Sequence, residues 1–268
     1  MTPAVPARTL KQKFAADGHA FGPMVIEFFT PGMAAIAAAA GADFVLYDME
    51  HSGAEIGDIK EQCAAARGLG IAPLVRVPSG EYHFVARALD AGAEGIMVPM
   101  VESAAHAAEI VSFAHYPPKG RRGAAFGVAH DGYRGGDPVA KIAAANGRTL
   151  IIPQIETKTG LEAVEDIAAV DGVDIVWVGH FDLTNFLGIP AAFDHPDYEA
   201  ALARVLAAAD ANGKPAGFMA ADEAWAEAYY RRGFRAIAYG LDHLLFQKAL
   251  AGGLSLLNGL AAATPARG

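Results

Sequence analysis

The sequence predicts an α/β protein folded as a (β/α)8 TIM barrel, on three observations. Eight short apolar runs recur along the chain, Ala-rich helical stretches lie between them, and no low-complexity linker divides the 268 residues. Strands that are apolar on both faces and alternate with helices indicate a parallel sheet, and eight such units in one chain of this length fit a closed barrel. In order, the runs are GPMVIEFF (22–29), DFVLYDME (43–50), APLVRVP (72–78), GIMVPMV (95–101), LIIPQIE (150–156), IVWVGHFD (175–182), PAGFM (215–219) and AIAYG (236–240). Segments such as SAAHAAEIVSFAHY and HPDYEAALARVLAAADANG supply the helices. A doubly wound open sheet is the other arrangement with this alternation. No G-x-G-x-x-G follows a strand, so a dinucleotide site is not supported.

One domain spans 1–268, with an N-terminal extension over about 1–20 and a frayed tail over about 258–268. At 53% hydrophobic and 19% charged residues there is material for a large core, and the balance is not that of a disordered chain. A formal charge of −9 argues against nucleic acid as a partner. It leaves small acids open, because a local cation can reverse the field inside one pocket. The single cysteine, Cys63, excludes an internal disulfide and a cysteine-rich zinc site; it lies in KEQCAAARGLG, which reads as a helix, and is expected in the core. The N-terminus has no apolar stretch of signal-peptide length and MAAIAAAAGA is too short to span a bilayer, so no membrane partner and a cytoplasmic location are expected.

Two stretches break the rhythm. Residues 117–148 form a long Gly-rich connection between the fourth and fifth strands, and long loops in compact domains are often active-site covers. The last helix, in LFQKALAGGLSLLNGL, carries apolar surface suited to a neighbouring subunit.

In a barrel the chemistry collects at the C-terminal ends of the strands. Here those ends hold Asp48, Glu50 and His51 on the second strand, Arg76 on the third, Gln154 and Glu156 on the fifth, and His180 and Asp182 on the sixth. Glu156 and Asp182 held close would repel unless a cation sat between them, and a hard divalent ion suits carboxylate oxygens. Helix capping or pairing with Lys158 explains the same residues equally well. Arg76 reads either as a rim ion pair or as a clamp for a carboxylate or enolate oxygen. His51, beside other ionisable groups at a strand end, is a natural proton carrier. His83, His106, His115, His195 and His243 are expected on surfaces or helix ends. No lysine falls inside a strand pointing into the barrel, which argues against Schiff-base chemistry.

The motifs LYDMEH, LVRVPSGE, ALDAGAEGIMVPMVES, YPPKGRRG, PQIETKTGLEAVEDIAAVDGVDIVWVG and DLTNFLG, in this order, resemble the HpcH/HpaI aldolase family of metal-dependent class II pyruvate aldolases. The resemblance runs from about residue 20 to residue 250. It implies reversible cleavage of a 4-hydroxy-2-oxo acid into pyruvate or hydroxypyruvate and an aldehyde, and a homo-hexamer whose last helix is exchanged between neighbours. It also implies a divalent ion (Mg2+, Mn2+ or Co2+) on Glu156 and Asp182. His51 matches the proton acceptor, Arg76 the residue stabilising the enolate, and Asp90 an aspartate that raises the basicity of the histidine. Gln154, Phe181 (through its backbone) and Asp182 match positions that contact the 2-oxo acid. Two departures bear on the substrate: GHFDLT stands for the usual GPADLS, and DMEH for DGEH. Residues His130, Asp131 and Tyr133 are read as setting the aldehyde preference, or as surface decoration. Asp90 falls at the end of a helix leading into the fourth strand, so it is expected to reach His51 only from a neighbouring chain. A CoA-thioester lyase of the citramalyl or malyl type and a non-catalytic 2-oxo acid binder are the competing readings.

Overall fold

In a computed structural model, which describes residues 8–263, eight parallel strands close into a barrel in the order β1-β2-β3-β4-β5-β6-β7-β8. The strands are β1 (Ala20–Val25), β2 (Phe44–Asp48), β3 (Ala72–Arg76), β4 (Gly95–Val98), β5 (Leu150–Ile155), β6 (Val176–Val178), β7 (Ala216–Ala220) and β8 (Ala236–Leu241). All eight expected runs contain strands, and those over 22–29, 43–50, 150–156 and 175–182 stop before their polar C-terminal ends. The helices are α1 (Leu10–Asp17), α2 (Met33–Ala39), α3 (Ile56–Ala66), α4 (Tyr82–Ala91), α5 (Ala104–Ala114), α6 (Pro138–Arg148), α7 (Lys158–Glu162), α8 (Val164–Ala169), α9 (His180–Phe186), α10 (Pro196–Ala211), α11 (Glu223–Arg232) and α12 (Asp242–Ala263).

Two apolar layers follow from the pleat of the strands. Met24, Leu46, Leu74, Met97, Ile152 and Trp177 point inward and fill the barrel. Val45, Tyr47, Val75, Ile96, Ile151 and Phe218 point outward against the helices. Every residue of β2, β3, β4 and β5 is buried, as the continuous apolar runs require. Gly217 has no side chain because the Trp177 ring occupies the place a Cβ would take. Cys63 is buried in the helix-facing core, and burial pushes its thiol up to about 12, so it is a packing residue and not a nucleophile.

Three expectations change. The N-terminal extension contains a helix: Thr9 and Gln12 cap α1 reciprocally, and Leu10 is buried against the inner core at the N-terminal end of the barrel. Residues 258–263 of the expected tail are helical, and the rest of it lies outside the described residues. The connection 117–148 is not a cover on its own chain's active site. Its second part is α6, capped by the Asp137 side chain, and the remainder follows α5. In a βα unit the segment from helix back to strand lies at the N-terminal end of the barrel, opposite the strand ends that carry chemistry. There Arg67 Nη2 donates to Ala129 O at 2.5 Å and Arg148 Nη2 donates to His130 O at 2.7 Å. His130, Asp131 and Tyr133 therefore lie away from the site of their own chain. His115 ends α5 as expected, yet it is fully buried, its Nδ1 donating to Val111 O at 2.9 Å.

Candidate active site

The C-terminal ends of β2 and β3 are built around one buried carboxylate. Asp48 and Arg76 are register partners on neighbouring strands. Arg76 donates from Nε to Asp48 Oδ1 at 2.7 Å and from Nη2 to Oδ2 at 2.9 Å. The same carboxylate accepts from Glu50 N at 3.0 Å and His51 N at 3.1 Å, which bends the chain after β2 and sets His51 at the mouth. Burial alone would lower Arg76, but the hydrogen bonds and charge of Asp48, with Glu50 and Glu156, outweigh it and hold the guanidinium above its ordinary range. Arg76 Nη1 lies 3.2 Å from Glu50 Oε2. The His51 ring is 58% exposed, with Nε2 3.8 Å from Glu50 Oε2.

The opposite wall comes from β5 and β6. Glu156 follows the last residue of β5 and is buried; its Oε1 accepts from Met100 N at 2.6 Å, and its Oε2 accepts from the Gln154 amide. Met100 has φ 54, a left-handed conformation unusual outside glycine and of the kind that collects at functional sites. Gly179, after β6, lies against Glu156 and Gln154 where no side chain fits. Asp182 follows on α9, and Phe181 is half exposed at its start. Burial pushes Glu156 up to about 7; the Gln154 and Met100 hydrogen bonds oppose this, and the charges of Glu50 and Asp182 add to it. Glu50 is also raised, by burial first, against the pull of Arg76, with Asp48 and Asp182 reinforcing.

Gln154, Glu156, Phe181, Asp182, His51 and Arg76 all line one cavity of about 180 Å3 at this end of the barrel. Fold closure thus brings together every predicted site residue except one. Asp90 ends α4, just before β4, and so sits at the N-terminal end, where its Oδ1 accepts from Arg122 Nη2 at 2.6 Å. Within its own chain Asp90 does not meet His51.

His180 lines the cavity and is buried among Phe181, Phe193, Phe218 and Trp225, with centroid separations of 4.7, 5.6, 4.9 and 5.3 Å. Burial pushes it down to about 4, so it is neutral. Sequence reasoning passed over Asp48 as a site residue, although its place at the end of an apolar strand was the available signal. It also passed over Asp242, at the start of α12, whose carboxylate accepts from Ile26, Glu27 and Phe28 N, the last at 2.6 Å, and fixes the loop after β1. Nothing local in the sequence announces that contact, which spans more than 200 residues.

A closed (β/α)8 barrel with carboxylates, an arginine and a histidine gathered at its C-terminal mouth defines the class as a barrel enzyme acting on small acids. The sequence pattern described as HpcH/HpaI aldolase/citrate lyase matches residues 24–249, and the chain belongs to that family. It is 38% identical over 218 residues to the 2-keto-3-deoxy-L-rhamnonate aldolase of Klebsiella pneumoniae, covering 81% of each chain. It is 43% identical over 216 residues to the hydroxypyruvate/pyruvate aldolase of Paraburkholderia phytofirmans, covering 78% of this chain and 82% of the relative. The crystal structure of an HpcH/HpaI aldolase from Desulfitobacterium hafniense superimposes with a TM-score of 0.88 at 34% identity, over 94% of this chain and 97% of that one. The chain is accordingly an aldolase, a carbon–carbon lyase.

Proposed function

We propose that the enzyme reversibly cleaves a 4-hydroxy-2-oxo acid into pyruvate or hydroxypyruvate and an aldehyde, with a divalent ion held by Glu156 and Asp182. The reading rests on the single cavity in which those two carboxylates face Arg76, Gln154 and His51. The donor set fits a hard ion such as Mg2+, Mn2+ or Co2+: two carboxylates lining one cavity, with Glu50 adding negative charge. Among the described residues no group of three or more His, Cys, Asp or Glu forms a complete cage. Such a pair leaves positions for substrate oxygens and water, as a catalytic site needs.

When bound, the ion supplies Lewis-acid polarisation of the 2-oxo group. Gln154 holds Glu156 in place, and the backbone at Phe181 and Asp182 borders the place of the substrate carboxylate. In the cleavage direction His51 takes the proton of the 4-hydroxyl, the C3–C4 bond breaks, and its electron pair passes to the enolate. Arg76, fixed by Asp48, places positive charge where that oxyanion grows. His51 is exposed enough to return its proton to solvent or product. Asp90 is proposed to act on the His51 of a neighbouring subunit, because its own lies at the other end of the barrel.

A homo-hexamer with exchanged α12 helices is the assembly proposed. That helix is long and apolar enough to cross a membrane by length and composition alone, and only Asp242 of it is buried. Its continuity with β8 and the exposed Leu250, Leu254 and Leu257 favour another copy of the chain as the cover, in a cytoplasmic enzyme.

The test is pyruvate or hydroxypyruvate release over a panel of 4-hydroxy-2-oxo acids, run beside a citramalyl- or malyl-CoA thioester. Release from the free acids is expected. Cleavage of the thioester alone would replace this reading with the CoA-lyase one, and binding without turnover would leave a 2-oxo acid binder. Mixing Asp90→Asn and His51→Ala subunits is expected to restore activity that neither has alone, since intact pairs then form between chains.

A further inference from the structure

A second cavity, of about 480 Å3, opens at the N-terminal end of the barrel, away from the active-site residues. It is bounded by the start of β3, by Glu94 ahead of β4 and by Leu10 of α1, and four cationic side chains line it: Arg8, Lys13, Arg67 and Arg148. Two of these are neutralised. Arg8 lies 3.6 Å from Asp17, and Lys13 lies 3.1 Å from both Asp17 and Asp43.

Arg67 and Arg148 differ. Each donates through Nη2 alone, and they grip consecutive carbonyls of one turn, Ala129 O at 2.5 Å and His130 O at 2.7 Å. Among the described residues no carboxylate is in ion-pair contact with either. Glu94 acts on Arg148 only at longer range and accepts from Leu10 N at 2.7 Å through Oε1. The Nε and Nη1 groups of two guanidiniums thus have no acceptor among the described residues beside one cavity. Burial first, with the charge of Arg122, disfavours the Arg148 guanidinium, and Glu94 offsets this only in part. His130 lines the same cavity and is 7% exposed, with Nε2 donating to Ala125 O at 2.7 Å and Nδ1 without a partner.

We propose that this cavity binds a small oxyanion, the phosphate or carboxylate group of a diffusible molecule, between the Arg67 and Arg148 guanidiniums. The guanidinium fork matches the paired oxygens of either group, and such a ligand would satisfy free N–H groups of both arginines. Within its own chain the site stands at the opposite end of the barrel from Arg76 and Glu156.

Titration calorimetry on the intact protein at low ionic strength tests this, with inorganic phosphate in one arm and succinate in the other. At least one anion is expected to bind, the stronger arm identifying the group, and Arg67→Gln and Arg148→Gln are each expected to weaken binding ~10-fold or more. Heat lost in Arg76→Lys belongs to the active site, and heat kept in Arg76→Lys but lost in the Arg67→Gln/Arg148→Gln double variant belongs to this cavity. Arg67 lies at the exposed rim, so its variant keeps the fold; an unchanged melting midpoint without anion verifies that. No heat in either arm, or identical isotherms for the wild type and the Arg67→Gln/Arg148→Gln double variant, would overturn the proposal.

Discussion

Asp48 and Arg76 form a two-point ion pair across neighbouring strands, with the Asp48 carboxylate fully buried and both of its oxygens also holding the backbone of the turn that carries His51. One carboxylate therefore positions both His51, the proposed proton carrier, and Arg76, the proposed oxyanion partner. Asp48→Asn is expected to lower kcat by ~10²-fold, because small misplacements of catalytic groups cost about that much. Steady-state kinetics on a folded variant checks it, and an undiminished rate would refute the coupling.

Arg76→Ala is a poor probe of catalysis alone, since it leaves Asp48 buried without its partner. Breaking a buried pair in this way costs about 3–5 kcal/mol, so urea unfolding is expected to show a large loss of stability beside the loss of rate. Arg76→Lys keeps the charge and gives up the fork. It is expected to retain most of the stability and lose most of the rate.

Chelation is expected to abolish turnover, with Mg2+, Mn2+ or Co2+ restoring it. Glu156→Gln and Asp182→Asn are expected to weaken metal binding in a direct titration. Full-rate turnover after exhaustive EDTA treatment would end the metal assignment. Borohydride added with pyruvate is expected to trap no adduct, in keeping with the absence of lysine from the cavity lining.

Gly179→Ala is expected to disable the site while sparing the barrel. The added Cβ would overlap the Glu156 carboxylate and the Gln154 amide, displacing both from their positions. A fall in metal affinity with an unchanged far-UV spectrum is the expected pattern. Wild-type affinity would show that Glu156 has room to move.

Acidification should destabilise the fold through His115 and His180, both held neutral by burial, His180 at about 4. The unfolded chain takes up these protons near the ordinary histidine value of 6.5, before the folded one does. Stability is therefore full above that pH and falls as pH drops toward 4, by at most on the order of 3 kcal/mol for His180. Denaturant midpoints across that range check the slope, and His115→Phe is expected to flatten it in part.

Leu254→Glu together with Leu257→Glu is expected to break the proposed hexamer. Both side chains are exposed on α12, and burying two carboxylates in an apolar interface is unfavourable. Sedimentation of the variant at the wild-type mass would remove α12 from the interface.

The sequence by itself determined the strands, the closure and most of the site. Runs such as DFVLYD are apolar on both faces, and that pattern has few stable outcomes other than a parallel sheet covered by helices. Once eight such runs close, polar residues at their ends must converge, so His51, Arg76, Gln154, Glu156 and Asp182 were legible as one constellation. Tertiary structure alone decided which groups pair. That Asp48 binds Arg76 depends on strand register, that Asp242 holds the loop after β1 depends on β8 closing the barrel against β1, and that Asp90 meets Arg122 depends on the path of the α5–α6 connection. That connection was misplaced for the same reason: its glycines signal a loop, but which end of the barrel a loop occupies is fixed by whether a helix or a strand comes before it.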